Sequence, residues 1–375
     1  MMWIHWDIYH WKVHLNLHPK RKQIFVLLVF RVIILFKIKV KMIKQFLKHH
    51  PVHKKLVPNL DVVFLLRPTL FFSVWVMVVM GMSSAQMYYF DHPLWISNFS
   101  WATFFVFTGI TFVCSSTFIL NQISDEKSDS INQKLFLVGK YIAIEKSKSI
   151  SKILLIVGIL ILIVVNWFSA ILVGIIYLIW GIIYNQPPFN WKKKPLLGWF
   201  TNTIVGVLLF TEGWSLVMQN QPMAAIIPLD ISMLKLLLPY VLCFSSVSLL
   251  TTLPDMKGDS TSGDKTFPIV FGKNITLFIS LAFIIIAFII ALENNDPLAS
   301  TATLVSIPFF IFAFIRRMEK DILRAIRYPI FILNFFVLSV YPWLFVPLAI
   351  TYYLSKYYYW HRFNLHYPTF LVEHD

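Results

Sequence analysis

The sequence predicts an all-α polytopic membrane protein, with nine transmembrane helices in one bundle around a central cavity that opens to the cytoplasmic side. First, 58% of the 375 residues are hydrophobic and only 14% are charged, whereas about a quarter of a water-soluble domain is charged. Second, the apolar residues fall in runs of roughly 18–22, the length that crosses a ~30 Å hydrocarbon core. Third, Lys and Arg cluster in alternate connections, as they do in cytoplasmic loops.

The apolar runs give the order of the spans, each to within a few residues. We place the spans at about 69–89, 99–120, 153–167, 169–184, 196–218, 234–253, 275–292, 298–315 and 329–353. The connections that hold Asp91, Asp230 and Glu293 contain no Lys or Arg, and the connections between them are basic. This alternation predicts a cytoplasmic N-terminus, and we expect an integral protein of a prokaryotic plasma membrane. It also accounts for the net charge of +15 without a nucleic acid as partner.

The almost continuously apolar segment 153–184 needs a separate argument. As one helix it would be ~48 Å long at 1.5 Å per residue, which exceeds the membrane thickness. Lys152 precedes it and Lys192 to Lys194 follow it, so both of its ends are expected on the cytoplasmic side. The number of crossings must then be even. We therefore predict a tight hairpin that turns near Asn166 to Ser169.

The chain divides into three expected parts. Residues 1–55 form a basic N-terminal segment, residues 56–355 the nine-helix domain, and residues 356–375 an aromatic-rich tail. Between Lys37 and Lys48, lysines alternate with apolar residues, which suits a helix lying on an anionic membrane surface. A start codon assigned too far upstream is the alternative explanation for residues 1–41.

The first candidate site lies where the second apolar run stops. The stretch NQISDEKSD follows that run, and its Asn121, Asp125 and Asp129 are spaced four residues apart. On a helix this spacing places the three side chains on one face. Two carboxylates one turn apart at a membrane boundary repel each other unless a cation joins them.

The same arrangement recurs after the sixth run, in the stretch DMKGDSTSGDKTFP. Asp255 and Asp259 are again four residues apart, and by the span count they face the same side as the first cluster. Mg²⁺ prefers one or two carboxylates together with substrate phosphates. The pattern therefore predicts Mg²⁺ as cofactor and a substrate that carries a diphosphate. The alternative is that these are solvated loop acids, or acids paired with neighbouring lysines.

The two stretches resemble the two aspartate-rich motifs of the UbiA-type intramembrane prenyltransferases, which follow the second and sixth of nine helices in that family. The first motif is matched by Asn121, Asp125 and Asp129, and the second by Asp255, Gly258, Asp259, Gly263, Thr266 and Pro268. Two further stretches resemble family motifs in the same order, LRPTLF from Leu66 and YNQPPFNWKKKP from Tyr184. The resemblance covers about residues 60–350.

The sequence also departs from the family pattern at three places. Gln122 stands where the family usually has an Asp, which removes one possible ligand. The Asn-x-Pro-x-Arg-Pro run that follows the first motif in the family is absent. Thr251 and Thr252 lie where many members carry another acid. These departures concern the subfamily and the number of metal ions rather than the reaction class.

The resemblance implies Mg²⁺-dependent transfer of a prenyl group from a prenyl diphosphate to a lipophilic or aromatic acceptor within the membrane. The partners would then be a prenyl diphosphate, a small lipophilic acceptor and membrane lipid, and the acceptor could belong to quinone, chlorophyll-type or glycerolipid biosynthesis. The five residues that would hold Mg²⁺ through the diphosphate are Asn121, Asp125, Asp129, Asp255 and Asp259. Among these, Asp125 and Asp255 are also assigned catalytic roles.

Basic and aromatic residues complete the expected substrate site. Lys192 is the first candidate for a direct phosphate contact, followed by Arg67 and by Lys257 of the second motif. Lys192 and Arg67 could equally be topology determinants at the ends of spans. Tyr184 matches the family's loop motif, and aromatic faces can stabilise the cation that develops on the departing allylic group.

Two polar residues lie inside the fifth span, where an unpaired charge is costly. Glu212 could orient or deprotonate the acceptor, or it could be a structural carboxyl that bonds another helix. Asn202 is expected to make an interhelical hydrogen bond.

Two other functions make different demands on the sequence. A cation-coupled transporter would hold its cation near the bilayer midplane on broken helices, whereas these acids lie at helix ends on one side. A phosphatidyl-group transferase would show a D-G-x-x-A-R type motif, and the sequence contains none.

Overall fold

The computed structural model describes residues 50–90, 100–131, 137–218 and 231–368, together with Met42 and Phe46. These residues are almost entirely helical, and they contain no β-strand beyond one isolated bridge between Val138 and Ile142. The expectations for residues 1–41 lie outside the described residues. The chain forms two compact units, Met1–Asn59 and Leu60–Asp375.

Fourteen α-helices run through the described residues. They are α1 (Pro51–Leu65), α2 (Phe71–Phe90), α3 (Trp101–Ser124), α4 (Glu126–Ile131), α5 (Ile144–Val165), α6 (Trp167–Ile176), α7 (Pro195–Met218), α8 (Ile231–Thr251), α9 (Met256–Thr261), α10 (Phe267–Phe271), α11 (Lys273–Glu293), α12 (Pro297–Arg316), α13 (Glu319–Val340) and α14 (Phe345–Phe363). A π-helical stretch, Tyr177–Ile183, continues α6, and short 3₁₀ turns occupy Pro68–Leu70, Trp191–Lys193 and Pro342–Leu344.

Eight helices among the described residues are long and apolar enough to cross a membrane. They are Pro68–Phe90, α3, α5, α7, α8, α11, α12 and α13. The shorter apolar stretch Trp167–Ile183 lies between α5 and α7. Eight long helices plus this shorter one agree with the predicted polytopic all-α fold and, approximately, with its nine spans.

The predicted hairpin within 153–184 is confirmed. Helix α5 ends at Val165, and Asn166 separates it from α6. The Asn166 side chain accepts hydrogen bonds from the backbone N–H groups of Phe168 (3.0 Å) and Ser169 (3.4 Å). It thereby caps the second helix, as Asn commonly does.

The ninth span differs from the prediction. We expected one helix over 329–353, but α13 begins ten residues earlier at Glu319 and stops at Val340. The interruption follows from Pro342, because proline lacks an N–H and disfavours a helical conformation in the residue before it. A separate helix, α14, then runs through Phe363. The expected boundary at 355 therefore falls inside a helix.

The expected boundary at 55 also falls inside a helix, α1. The limit between the two compact units lies four residues later, between Asn59 and Leu60.

Helices α2 and α7 approach each other so closely at two positions that only glycine fits there. A Cβ atom built on Gly81 would lie 2.0 Å from the carbonyl oxygen of Phe210. A Cβ atom on Gly213 would lie 1.8 Å from the carbonyl oxygen of Val78. Small residues at such crossings let helix backbones pack tightly within a membrane.

Candidate functional site

The first acidic cluster lies at the junction of α3 and α4. Asp125 caps α3, its backbone N–H bonding the carbonyl of Asn121, and the N–H of Asp129 bonds the carbonyl of Asp125 at 2.8 Å. The junction is therefore a short break within a nearly continuous helical path. The Asn121 amide nitrogen donates to Asp125 Oδ2 at 2.6 Å. The predicted common face of Asn121 and Asp125 is thus present.

Lys192 is inserted into this cluster. Its ammonium contacts Asp125 Oδ1 and the hydroxyl of Ser124. Its side chain is buried, whereas those of Lys193 and Lys194 are exposed. The turn that carries Lys192 is fixed because the Lys192 N–H bonds the carbonyl of Tyr184 at 3.2 Å. Of three consecutive lysines, only the one expected to contact phosphate is therefore directed into the protein.

Arg67 approaches the other end of the first cluster. Its Nη2 lies 3.6 Å from Oδ2 of Asp129, and Asp129 is only 4% exposed. Arg67 has a left-handed backbone conformation, with φ 53° and ψ 60°. A residue other than glycine rarely adopts this conformation, and it persists where surrounding contacts stabilise it.

The second acidic cluster follows α8. Asp255 precedes α9, and the N–H of Asp259 bonds the Asp255 carbonyl at 3.0 Å. The two acids are therefore one helical turn apart. Asp264, just beyond them, forms an ion pair with Lys193 at 2.7 Å. This pair connects the loop of the three lysines to the second cluster.

The structure brings the two clusters together. The short helices α4 and α9, which carry Asp129 and Asp259, pack against each other. The expectation that both clusters face one side of the bundle agrees with this packing.

Tyr184 is a partly buried residue near both clusters. Burial raises the pKa of its phenol, the nearby Asp125 carboxylate raises it further, and a hydrogen bond with Asn202 lowers it. The carboxylates of Asp259 and Asp255 also raise the pKa of Tyr184. One hydroxyl is therefore within electrostatic range of acids from both clusters.

The donor atoms suit a hard divalent cation, although they do not form a complete coordination shell. Among the described residues, no three His, Cys, Asp or Glu side chains gather into a group that could hold a metal ion by themselves. Carboxylate and amide oxygens are nevertheless the donors that Mg²⁺ accepts, and Mg²⁺ commonly takes its other ligands from water and substrate phosphates. The residues therefore fit a cation that arrives with a phosphate-bearing ligand.

Two predicted site residues make no contact with the acidic clusters that the structure describes. Lys257 is exposed on α9. Glu212 is fully buried, seventeen residues beyond the start of α7 at Pro195. At 1.5 Å per residue this separation is ~26 Å along the helix. Lys192 and Lys193, which contact the acids, come just before Pro195. Glu212 therefore lies toward the opposite end of the bundle. Its catalytic role stays a prediction, and no contact with the acidic clusters supports it.

Asn202 makes the expected interhelical bond, because its Oδ1 accepts from the indole N–H of Trp180 at 2.7 Å. Sequence reasoning missed Asn185. The Asn185 side-chain oxygen accepts from Asn121 at 3.1 Å, and its amide nitrogen donates to the carbonyl of Trp180 at 2.6 Å. Its position beside Tyr184 in the YNQPP stretch was the available signal.

Gln122, the departure from the family pattern, has a structural role here. Its side chain is 2% exposed, and its amide nitrogen donates to the backbone carbonyl of Leu65 at 2.8 Å. A carboxylate could not make this bond. Gln122 thus ties α3 to the turn that carries Arg67.

A comparison with known protein families agrees with this geometry. The model of the UbiA prenyltransferase family matches residues 74–340. The chain belongs to the UbiA prenyltransferase family. It is an integral membrane prenyltransferase, which sets aside the transporter and the phosphatidyl-group transferase.

Solved structures of UbiA homologues share the fold. A homologue from Archaeoglobus fulgidus bound to GPP and Mg²⁺ is 16% identical, with a TM-score of 0.57, and the match covers 77% of this chain and 99% of the homologue. A structure of digeranylgeranylglyceryl phosphate synthase is 20% identical, with a TM-score of 0.51 and coverage of 76% and 97%. The apo homologue from Aeropyrum pernix K1 is 14% identical, with a TM-score of 0.51 and coverage of 72% and 96%. No curated protein matches the chain.

Proposed function

We propose that this UbiA-family protein transfers a prenyl group from a prenyl diphosphate to a lipophilic or aromatic acceptor, with Mg²⁺ as cofactor. The observation that carries the proposal is that α4 and α9 pack together, so that the two acidic clusters share one region with buried Lys192. The Archaeoglobus fulgidus homologue in complex with GPP and Mg²⁺ supports the same assignment.

The acids would hold the cation and the basic residues would bind the diphosphate. Asn121, Asp125 and Asp129 would serve on one side, and Asp255 and Asp259 on the other. When bound, Mg²⁺ supplies Lewis-acid neutralisation of the leaving diphosphate. Lys192 and Arg67, which contact Asp125 and Asp129 in the structure, would bind diphosphate oxygens and so stabilise the same developing charge.

In the transfer itself, the bond between the prenyl C1 and the diphosphate oxygen breaks, and the electron pair leaves with the diphosphate. The acceptor forms the new bond to C1 and releases a proton. Positive charge that develops on the allylic group can be stabilised by aromatic faces within about 6 Å. Tyr184 and Trp180 both hydrogen-bond Asn202, and Trp180 also accepts a hydrogen bond from Asn185 at its backbone carbonyl. The centroid of the Phe118 ring lies 5.7 Å from that of Trp180. We assign this stabilising role to these three rings.

The first prediction tests the two clusters separately. Asp125→Ala and Asp255→Ala should each abolish transfer, because each removes a ligand from a different cluster. Purified protein would be incubated with labelled geranylgeranyl or farnesyl diphosphate, Mg²⁺ and a panel of acceptors, and diphosphate release would be measured. Expression and membrane insertion provide the control, and both should be unchanged. Activity above about a tenth of the wild-type value in both variants would remove the basis of the assignment.

The acceptor class needs a different measurement. We propose that the acceptor is a precursor in quinone, chlorophyll-type or glycerolipid biosynthesis. We also propose that the protein lies in a prokaryotic plasma membrane with its N-terminus in the cytoplasm. Extraction of lipids from a deletion strain would identify the missing prenylated compound, and labelling of single cysteines from each side of the membrane would determine the orientation.

A further inference from the structure

The C-terminal helix α14 is bonded to a buried carboxylate near the start of the bundle. Asp61 is 4% exposed. The Tyr358 hydroxyl donates to its Oδ1 at 2.5 Å, and Arg362 Nη2 donates to its Oδ2 at 2.8 Å. The ring of Phe64 stacks on that of Tyr358, with centroids 3.9 Å apart and planes at 3°. Both oxygens of one carboxylate are therefore held by the same helix, almost 300 residues away in the chain.

The anchored residues lie directly before Arg67. The N–H of Arg67 bonds the carbonyl of Phe64 at 3.1 Å, and the carbonyl of Leu65 accepts the bond from Gln122. The left-handed conformation of Arg67 precedes Pro68, a position where such backbone angles are disfavoured. The contacts on both sides of this turn must therefore compensate for its strain.

Helix α14 also contacts the surroundings of the Arg67–Asp129 pair. It packs against the 3₁₀ turn Pro68–Leu70. Its Tyr359 is close enough for the charge of Arg67 to act on the phenol. The guanidinium of Arg362 lies 3.9 Å from the centroid of the Tyr141 ring, in the segment that follows the first acidic cluster.

The connected residues lie on either side of the residues that the family model matches. That match begins at residue 74 and ends at residue 340, so Asp61, Arg67 and α14 are all outside it. The match to the family model therefore does not itself describe this contact.

We propose that α14 is a positioning element of the prenyl diphosphate site. Through Tyr358 and Arg362 it fixes Asp61 and Phe64, and so holds the turn that directs Arg67 toward Asp129 and the diphosphate. The inference rests on the proposed function. Asp61, Tyr358 and Arg362 are positioning residues, since they act through Arg67.

The test compares substitutions on one helix. Tyr358→Phe and Arg362→Gln should each raise the KM for the prenyl diphosphate by about tenfold, and should also lower kcat, because Arg67 is proposed to stabilise the charge on the leaving diphosphate. Arg362→Lys keeps the charge beside Asp61 and should restore most of the affinity. Tyr353→Phe is the matched control, because Tyr353 lies on α14 but is 69% exposed; it should leave both constants unchanged.

A second readout does not depend on transfer. Hydrogen exchange of residues 60–70 and 125–131 should become faster in Tyr358→Phe and Arg362→Gln, and should remain at the wild-type rate in Tyr353→Phe. If the wild-type protein transfers no prenyl group, the proposed function is refuted. Faster exchange in the two variants would still support the positioning role in that case. Wild-type exchange and wild-type KM in both variants would overturn the inference. So would a fall in kcat and thermal stability at unchanged KM, since α14 would then be only a structural support.

Discussion

Lys192 differs from the two lysines that follow it because its side chain is buried. It contacts Asp125, whereas Lys194, two residues later in the same loop, is exposed. Removing its charge would leave Asp125 without this partner and, under the proposed function, would remove a donor for the diphosphate. We predict that Lys192→Gln lowers kcat/KM more than tenfold, in line with the loss of a charge-assisted bond worth about 1.5–3 kcal/mol. Steady-state kinetics would measure this effect.

Lys194→Gln is the matched control for Lys192→Gln. It removes the same charge from the same loop, so any general effect of loop charge on insertion or substrate attraction appears in both variants. Equal kcat/KM in the two variants would show that Lys192 has no specific role.

Gln122 gives a second prediction at the scale of a residue. Gln122→Asp restores the residue usual for the family, yet it places a carboxylate against the backbone carbonyl of Leu65 in a buried site. We predict a loss of stability of about 1–3 kcal/mol, the cost of leaving a buried polar group unpaired. Thermal unfolding in detergent would show a lower midpoint. A variant as stable as wild type, with tighter Mg²⁺ binding, would show instead that this position still serves as a ligand.

At the scale of elements, the crossing of α2 and α7 depends on glycine. Gly213→Ala would place a methyl group 1.8 Å from the Val78 carbonyl oxygen, with no flexible side chain able to move aside. We predict destabilisation of about 3 kcal/mol or more, at or above the upper range for overpacked cores. Gly174→Ala is the matched control, because nothing lies within 4 Å of a Cβ atom there. Similar unfolding midpoints for the two variants would contradict the close packing.

The elements that sequence reasoning placed well are those set by length and charge. The hairpin at Asn166 follows because an apolar stretch too long for one crossing has basic flanks on both sides. The ninth span was misplaced because hydropathy does not register the stop imposed by Pro342, while the first turns of α13 contain charges that reduce its apparent hydropathy. There, Asp321 is paired with both Arg316 and Arg324, so these charges are compatible with helix α13.

At the scale of the whole molecule, the acidic clusters were predictable and their basic partners were only partly so. Four-residue spacing places two acids on one helix face whatever the tertiary structure. The hydrogen bonds that Tyr358 and Arg362 donate to Asp61 join residues about 300 positions apart. A single sequence carries no sign of such a pairing. The left-handed turn at Arg67 is equally hidden, because no glycine marks it.

The final prediction concerns the metal and the substrate together. Two carboxylates from separate helix ends provide too few ligands to compensate for dehydration of Mg²⁺. We therefore expect weak Mg²⁺ binding alone, and affinities for Mg²⁺ and a non-cleavable prenyl thiodiphosphate that rise by the same factor in either order of addition, because binding linkage is reciprocal. Asp129→Asn should reduce this coupling. Calorimetric titrations in detergent would measure it, and tight Mg²⁺ binding that the analogue does not alter would contradict the expectation.

The ion pair between Lys192 and Asp125 also bears on which ions can occupy the site. A tethered ammonium on a carboxylate competes with any dissolved cation for the same oxygens. A monovalent ion such as K⁺ has no greater charge than the ammonium and offers Lys192 no new partner in exchange. A divalent ion that arrives with a polyanion would bind the carboxylate more strongly than the ammonium does. It would also bring phosphate oxygens as new partners for the displaced ammonium. If the site binds Mg²⁺ as proposed, selectivity against the abundant monovalent cations of the cell would follow from a lysine that is itself part of the protein.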